Sequence, residues 1–283
     1  MMKNTNYRLS ASLSRFGIYL FMLIITLLVV IPIYLMLINA TRTNAQINEG
    51  ISFIPGSNTI NNWKNLTNRN FQISQGFGNS LFIALSSTII VVYFSALTAY
   101  ALHVYKFKLK NFVWVLILFT MMLPGALSFI GFYQFVARLK LLNSYIPLII
   151  PGIAAPAVVF FIKQYFSSTL SFELIDAARI DGAGEFYIFN LVILPVIQPA
   201  LATQAIFSFI GSWNNFMTPF ILISDPKKYT LPMLVQMLRG DIYRTEYGSI
   251  YLGIAISLVP IIVFYSFASQ FIIAGIAMGS LKE

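Results

Sequence analysis

The sequence has no cysteine, one histidine and few acids, and each scarcity removes a class of chemistry. Without Cys there is no disulfide framework, no thiolate nucleophile and no sulfur-ligated metal site. Asp and Glu number 9 against 18 Lys and Arg, and charged residues make up 10% of the 283 positions, where a soluble domain carries about 25%. No charge falls within 17–41, 70–105, 111–137, 141–162, 186–224 or 247–281. There is also no Gly-Lys pair, so the chain has no G-x-x-x-x-G-K-[ST] phosphate loop with which to use ATP. The uncharged windows weigh against a carrier driven by protons or ions. A charge at the centre of a membrane helix costs about 2.5–3.5 kcal/mol and is kept where it serves as a relay or an ion site.

What is present fits a lipid solvent. Hydrophobic residues are 58% of the chain, mean hydropathy is +0.79, and each uncharged window exceeds the roughly 20 residues a spanning helix needs. The sequence therefore predicts an all-α polytopic membrane protein, one domain over 1–283 with six transmembrane helices. The net charge of +9 is spread through the connections, which suits anionic lipid head groups and not nucleic acid.

Residues 1–16 hold Lys3, Arg8 and Arg15 without an acid, placing the N-terminus in the cytoplasm. The apolar run Gly17–Ile38 exceeds the 7–15-residue core of a cleaved signal and reads as the first span. Thr41–Gln75 follows as an external loop. The second span lies near Leu81–His103, and the basic connection Tyr105–Asn111 is cytoplasmic. Phe112–Phe135 and Tyr145–Tyr165 are the third and fourth spans. The fifth begins within Leu191–Pro199 and runs to Ile223, Ser224–Tyr247 is external, the sixth is Gly248–Gly275, and the tail 279–283 returns to the cytoplasm. Lys and Arg then divide nine and nine, so the local density around the first span and in Tyr105–Asn111 sets the orientation.

One polar island interrupts the apolar sequence: Ser171 to Pro199, SFELIDAARIDGAGEFYIFNLVILPVIQP. Ser171 is placed as an N-cap and Glu173 lies in the first turn, where its charge suits the helix dipole. Gly182 and Gly184 end the helix. At about 100° per residue, Leu174, Ile175 and Ala178 fall on one side and Glu173, Asp176 and Arg179 on the other. Ten residues span roughly 15 Å, too short to cross a bilayer or to persist alone, so the helix needs something to dock against. Ala177 and Ala178 permit close approach, the carboxylates offer acceptors to Arg or Lys, and the chain beyond Phe186–Phe189 leads into a span.

ELIDAARIDGA followed by ILP and a further Pro resembles the EAA loop of ABC-transporter permease subunits, most closely that of the sugar-import group. Asp176 stands where that family has Glu, while Ala177, Ala178, Gly182, Leu194 and Pro195 match. The resemblance implies a cytoplasmic coupling loop over 171–195, with Glu173, Asp176, Ala177, Ala178, Arg179, Asp181, Gly182, Leu194 and Pro195 engaging an ATPase cleft. It further implies a second, homologous permease chain, two ATP-binding subunits that carry ATP and Mg, and an extracytoplasmic solute-binding protein. This chain would hold no cofactor or metal of its own and would not be an enzyme. The implied setting is a bacterial cytoplasmic membrane with both termini inside, and the implied mechanism is alternating access driven by ATP.

Trp213, Asn214, Phe216 and Pro219 form a Trp-Asn-x-Phe-x-x-Pro run that resembles the same permeases. Trp213, Asn214 and Asn215 fit a pathway for a polyhydroxylated solute, by ring stacking and paired donors and acceptors, or equally fit helix pairing and an interfacial Trp. Tyr229, Leu231 and Met233, in the loop 224–247, are either a contact for the binding protein, as in the maltose-type family, or a solvated connection. The tail 279–283 is similar to the C-terminal extension of the maltose-type second permease, which touches the ATPases. Rival readings are a permease for a polyol or glycerol phosphate, an ion-coupled carrier, and an intramembrane Ser hydrolase using Ser212 and His103, which would require the two side chains within about 3 Å.

Overall fold

Long apolar helices dominate the computed structural model, which describes residues 3–68, 72–238 and 246–279, and no described residue lies in a β-strand. The chain divides into two compact units, Met1–Phe71 with Met237–Ile256, and Gln72–Gln236 with Ser257–Glu283.

The first unit begins with α1 (Lys3–Asn39), α2 (Asn44–Asn48) and α3 (Thr59–Asn68). Along the described part of α1 apolar side chains face outward, with Tyr19 72% and Leu28 71% exposed, the surface of a helix that lipid or another protein surrounds. The stretch expected as an external loop is ordered by its polar residues. Thr43 and Gln46 form a capping box on α2. Asn62 is buried, and its Nδ2 donates to the carbonyls of Ala40 (2.9 Å) and Arg42 (3.1 Å). A Cβ at Gly248 would lie 2.6 Å from the Arg42 carbonyl, so only Gly fits that approach.

The second unit runs through α4 (Ile73–Val104), α5 (Lys110–Met122), α6 (Gly125–Arg138) and α7 (Ile146–Ile149), with a 3-10 turn leading into α8 (Pro156–Thr169). Then come α9 (Phe172–Ile180), α10 (Glu185–Tyr187), a π-helical stretch at Ile188–Ile193, α11 (Leu194–Val196), α12 (Gln198–Trp213), α13 (Met217–Leu222) and α14 (Leu231–Met237). The last helix, α15 (Tyr247–Gly279), contributes residues to both units. α4 packs against α8 and α12 around a core where Ala96 and Ala99 allow close approach and Tyr100, Ile162 and Phe166 fill the space.

Among the described residues four helical segments are long and apolar enough to cross a membrane: Arg15–Asn39, Ile73–Val104, Ile146–Thr169 and Tyr247–Ile273. A fifth is available if the bent pair Glu185–Val196 and Gln198–Trp213 counts as one span. The expected third span, 112–135, is not among these segments because it is two helices. Leu123 and Pro124 are extended between them (ψ 128° and 122°), because Pro124 offers no N–H and disfavours helical geometry in the residue before it. The basic connection after α4 closes through Lys110, whose Nζ donates to the carbonyls of His103 (3.3 Å) and Tyr105 (3.0 Å) at the negative end of the helix. Residues 280–283 of the expected tail, and Arg239, Asp241 and Arg244 of the expected external loop, lie outside the described residues.

Candidate functional site

Helix α9 starts and stops where its sequence dictates. The Leu174 N–H donates to Ser171 Oγ (3.4 Å), and Glu173 sits in the first turn. At the other end Ala183 N–H donates to the Ala178 carbonyl and Gly182 N–H to the Arg179 carbonyl, both at 3.0 Å. This is a Schellman closure, and it places Gly182 at φ 82°, a conformation that favours Gly. Gly184 has an ordinary φ of −71° and opens the next helix.

The inner face of α9 is seated on the bundle. Ile175 is fully buried among Phe166, Ile188, Phe189 and Ile193, and Ala178 packs against the same cluster, while Leu174 stays 39% exposed. Phe172 stacks on His103 (5.2 Å, 14°), which stacks in turn on Phe166 (5.8 Å, 20°), so α9 is held to the end of α4 by a three-ring sandwich.

The charges on the outer face are partly paired within the chain. Arg179 Nη1 donates to Asp176 (3.2 Å) and its Nε to Glu185 (2.7 Å), and Glu185 also accepts from the Tyr105 hydroxyl. The Glu185 bond raises the Arg179 pKa and keeps the guanidinium charged. Desolvation, followed by the bond to Glu185, pushes the Tyr105 phenol up. Both ion pairs are exposed, and the energetic worth of such pairs is small; what they fix is geometry, from α9 through Glu185 to the residue that ends α4. Glu173, Asp176, Ala177, Ile180, Asp181 and Gly182 remain exposed, Ile180 at 86%.

From Glu185 the chain is helical to Val196, then turns by 81° into α12. Pro195 and Pro199 supply no N–H, and the Pro199 ring would collide with the carbonyl four residues back in a straight helix, so the bend falls at Ile197 (φ −96°, ψ 13°). The π-helical stretch Ile188–Ile193 precedes the bend. Leu194 is half-buried against the core and Pro195 is exposed.

Trp213 is 1% exposed. Its Nε1 donates to the Ser257 carbonyl (3.0 Å), and its ring stacks on Phe209 (5.9 Å, 16°). The indole is thus committed to packing inside the unit and offers no face for a solute to stack on. Asn214 is exposed, and Asn215 Oδ1 accepts from the Thr218 N–H (3.2 Å) at the start of α13. Leu231 (0%) and Met233 (1%) are likewise interior, because the expected loop contains α14. Leu231 N–H donates to Ser80 Oγ (2.8 Å), and Gly76 makes room for Leu234. Tyr229 keeps partial exposure and donates to the Ser224 carbonyl.

The structure does not bring Ser212 and His103 together. Ser212 lines a small cavity with Ser80, Trp213, Asn215 and Thr230, whereas His103 lies between Phe166 and Phe172 with Nε2 buried and unpartnered. Among the described residues no three His, Asp or Glu are placed to hold a metal ion. Sequence reasoning missed Tyr105, Glu185 and Phe172, whose partners are distant in the chain or lie across a glycine break.

Residues 92–277 match the family described as "Binding-protein-dependent transport system inner membrane component". The chain is 33% identical to the arabinooligosaccharides transport system permease protein AraQ of Halalkalibacterium halodurans, over 91% of this chain and 93% of that protein. It is 30% identical to the lactose transport system permease protein LacG of Rhizobium radiobacter, over 89% and 91%. In fold it is similar to a chain in the crystal structure of a bacterial ABC transporter involved in the import of the acidic polysaccharide alginate (TM-score 0.79, 22% identity, 90% of this chain and 95% of that one).

Proposed function

Since this chain belongs to the inner-membrane components of binding-protein-dependent transport systems, we propose that it imports a sugar or oligosaccharide and is driven through the α9 loop by a separate ATPase. It is a permease subunit of an ABC importer and not an enzyme, and its work depends on a partner permease, an ATPase and a solute-binding protein. In the proposed assembly there is one homologous permease partner and two ATP-binding subunits that hold ATP and Mg. The loop 171–195 and both termini face the cytoplasm, and Tyr229 with the exposed Lys227 meets the binding protein on the other side. The relatives named for arabinooligosaccharides and lactose support the carbohydrate class.

One observation carries the reading: a short helix with Ile175 fully buried on the bundle presents Glu173, Asp176, Ala177, Asp181 and Gly182 on its free side. ATP-driven closure of the ATPase pair displaces that face. Arg179, Glu185 and Tyr105 tie the displacement to α4, while Leu194 and Pro195 pass it through the bend at Ile197 to α12. The bundle then opens outward to accept solute, and hydrolysis resets it.

The test is co-purification with a tagged chain and ATP-dependent oligosaccharide uptake in proteoliposomes. Asp176→Lys and Gly182→Pro are expected to lose the ATPase or to uncouple it, with the chain still inserted in the membrane. Normal uptake and full ATPase recovery in both variants would end the proposal.

A further inference from the structure

A groove of about 390 Å³ opens between α8, α12 and α15, lined by Phe161, Tyr165, Pro199, Ala200, Gln204 and others. Its position is informative. Tyr165 lies one turn from the end of α8, Pro199 and Ala200 follow directly on the bend at Ile197, and these are the ends of α8 and α12 that the α9 loop joins in the chain.

Most of the wall is apolar, which makes Gln204 conspicuous. It is 6% exposed, it lines the groove, and its amide has no hydrogen-bond partner among the described residues. Neighbouring Thr203 uses its hydroxyl on the Pro199 carbonyl (2.8 Å). Lipid tails cannot satisfy a carboxamide, so the occupant of the groove must bring its own hydroxyl or amide groups. In the same lining, on α8, Phe161 is 59% exposed and Tyr165 is partly exposed, and aromatic rings lie well against the C–H face of a sugar ring. An amide that both donates and accepts, lining the same space as two aromatic side chains, with room for a sugar ring, matches the amphipathic surface of a pyranose or furanose.

We propose that this groove is a carbohydrate subsite on the exit side of the pathway, with Gln204 bonding a sugar hydroxyl and Phe161 or Tyr165 stacking on the ring. The assignment rests on the reading of the chain as a sugar permease. Because Pro199 and Ala200 adjoin the bend, the same displacement that reaches α12 reshapes the subsite, so the sugar is held in one state and released in the other.

The experiment uses the intact complex with its binding protein in proteoliposomes, and labelled arabinotriose, lactose and maltotriose as probes. Gln204→Leu removes the amide at similar size, and Ala200→Trp fills the space while keeping the amide. Both are expected to cut uptake of the probe that the unaltered complex transports by tenfold or more, while subunit recovery and ATPase stimulation by the loaded binding protein stay within twofold. Gln204→Asn should recover part of the uptake. Unchanged uptake in Gln204→Leu and Ala200→Trp overturns the subsite, as does loss of the partner permease from either variant, which would make the groove a seat for that chain. If the unaltered complex moves none of the sugars, the failure lies with the carbohydrate reading and not with the groove alone.

Discussion

Two glycines lie one residue apart after α9, and the backbone separates them. Gly182 is at φ 82° inside the Schellman closure, whereas Gly184 is at −71°, and neither would bring a Cβ within 4 Å of a neighbour. Space is therefore not what distinguishes them; conformation is. Gly182→Ala should cost about 1 kcal/mol of local stability and loosen α9, while Gly184→Ala should be neutral or slightly stabilising. Uptake and the thermal midpoint of the purified complex read both, with a drop expected only for position 182. Equal behaviour of the two variants would remove the case for a helix stop held by Gly182. The sequence shows two interchangeable breakers here, since φ depends on which carbonyls the turn must satisfy. Ser171 was legible as a cap because its role is local. Glu185 was not, because its partners are Arg179, across the break, and Tyr105, at the end of another helix.

At the level of elements, the uncharged apolar windows located the long helices well and misjudged the places where proline redirects them. The runs near 17–38, 81–103 and 248–275 are single helices, whereas 112–135 is divided at Leu123-Pro124 and 191–223 is bent and then broken. Apolar composition looks the same on both sides of such a break, and only the missing N–H groups betray it. The loop 224–247 misled in the opposite direction. Its charges suggested solvent, yet Leu231, Met233, Leu234 and Val235 are buried in α14. For Trp213 the sequence leaves solute contact and helix packing open, because residue type alone does not give burial; its ring packs on Phe209. The bend at Ile197 carries a measurable consequence. A straight helix would separate positions 186 and 207 by about 32 Å, and an 81° turn shortens this to about 24 Å. Spin labels at Phe186→Cys and Phe207→Cys, both exposed, are expected to report the shorter distance. Adding Pro195→Ala and Pro199→Ala should lengthen it and slow uptake. A distance that does not change in that background would show that packing, and not proline, sets the turn.

For the whole molecule, the direction of insertion decides whether the α9 loop can meet an ATPase at all. Charge totals do not supply it, because nine Lys and Arg fall on each side of the proposed topology and the positive-inside bias rests on local density alone. The absence of Cys makes the question directly accessible: any single introduced thiol is the sole reactive site in the chain. Ile180, 86% exposed on α9, and Lys227, exposed before α14, lie on opposite sides in the proposed orientation. In intact right-side-out vesicles, a membrane-impermeant maleimide should label Lys227→Cys at once and Ile180→Cys only after permeabilisation. Both side chains are exposed, so either substitution should leave the chain inserted, and labelling is compared on membranes that hold equal amounts of the inserted chain. The reverse labelling pattern would put the acidic face of α9 outside the cell, where no nucleotide-driven subunit can reach it. The groove at Gln204 would then lie at the entrance and not the exit, because Pro199 and Ala200 follow the α9 loop closely in the chain and must share its side.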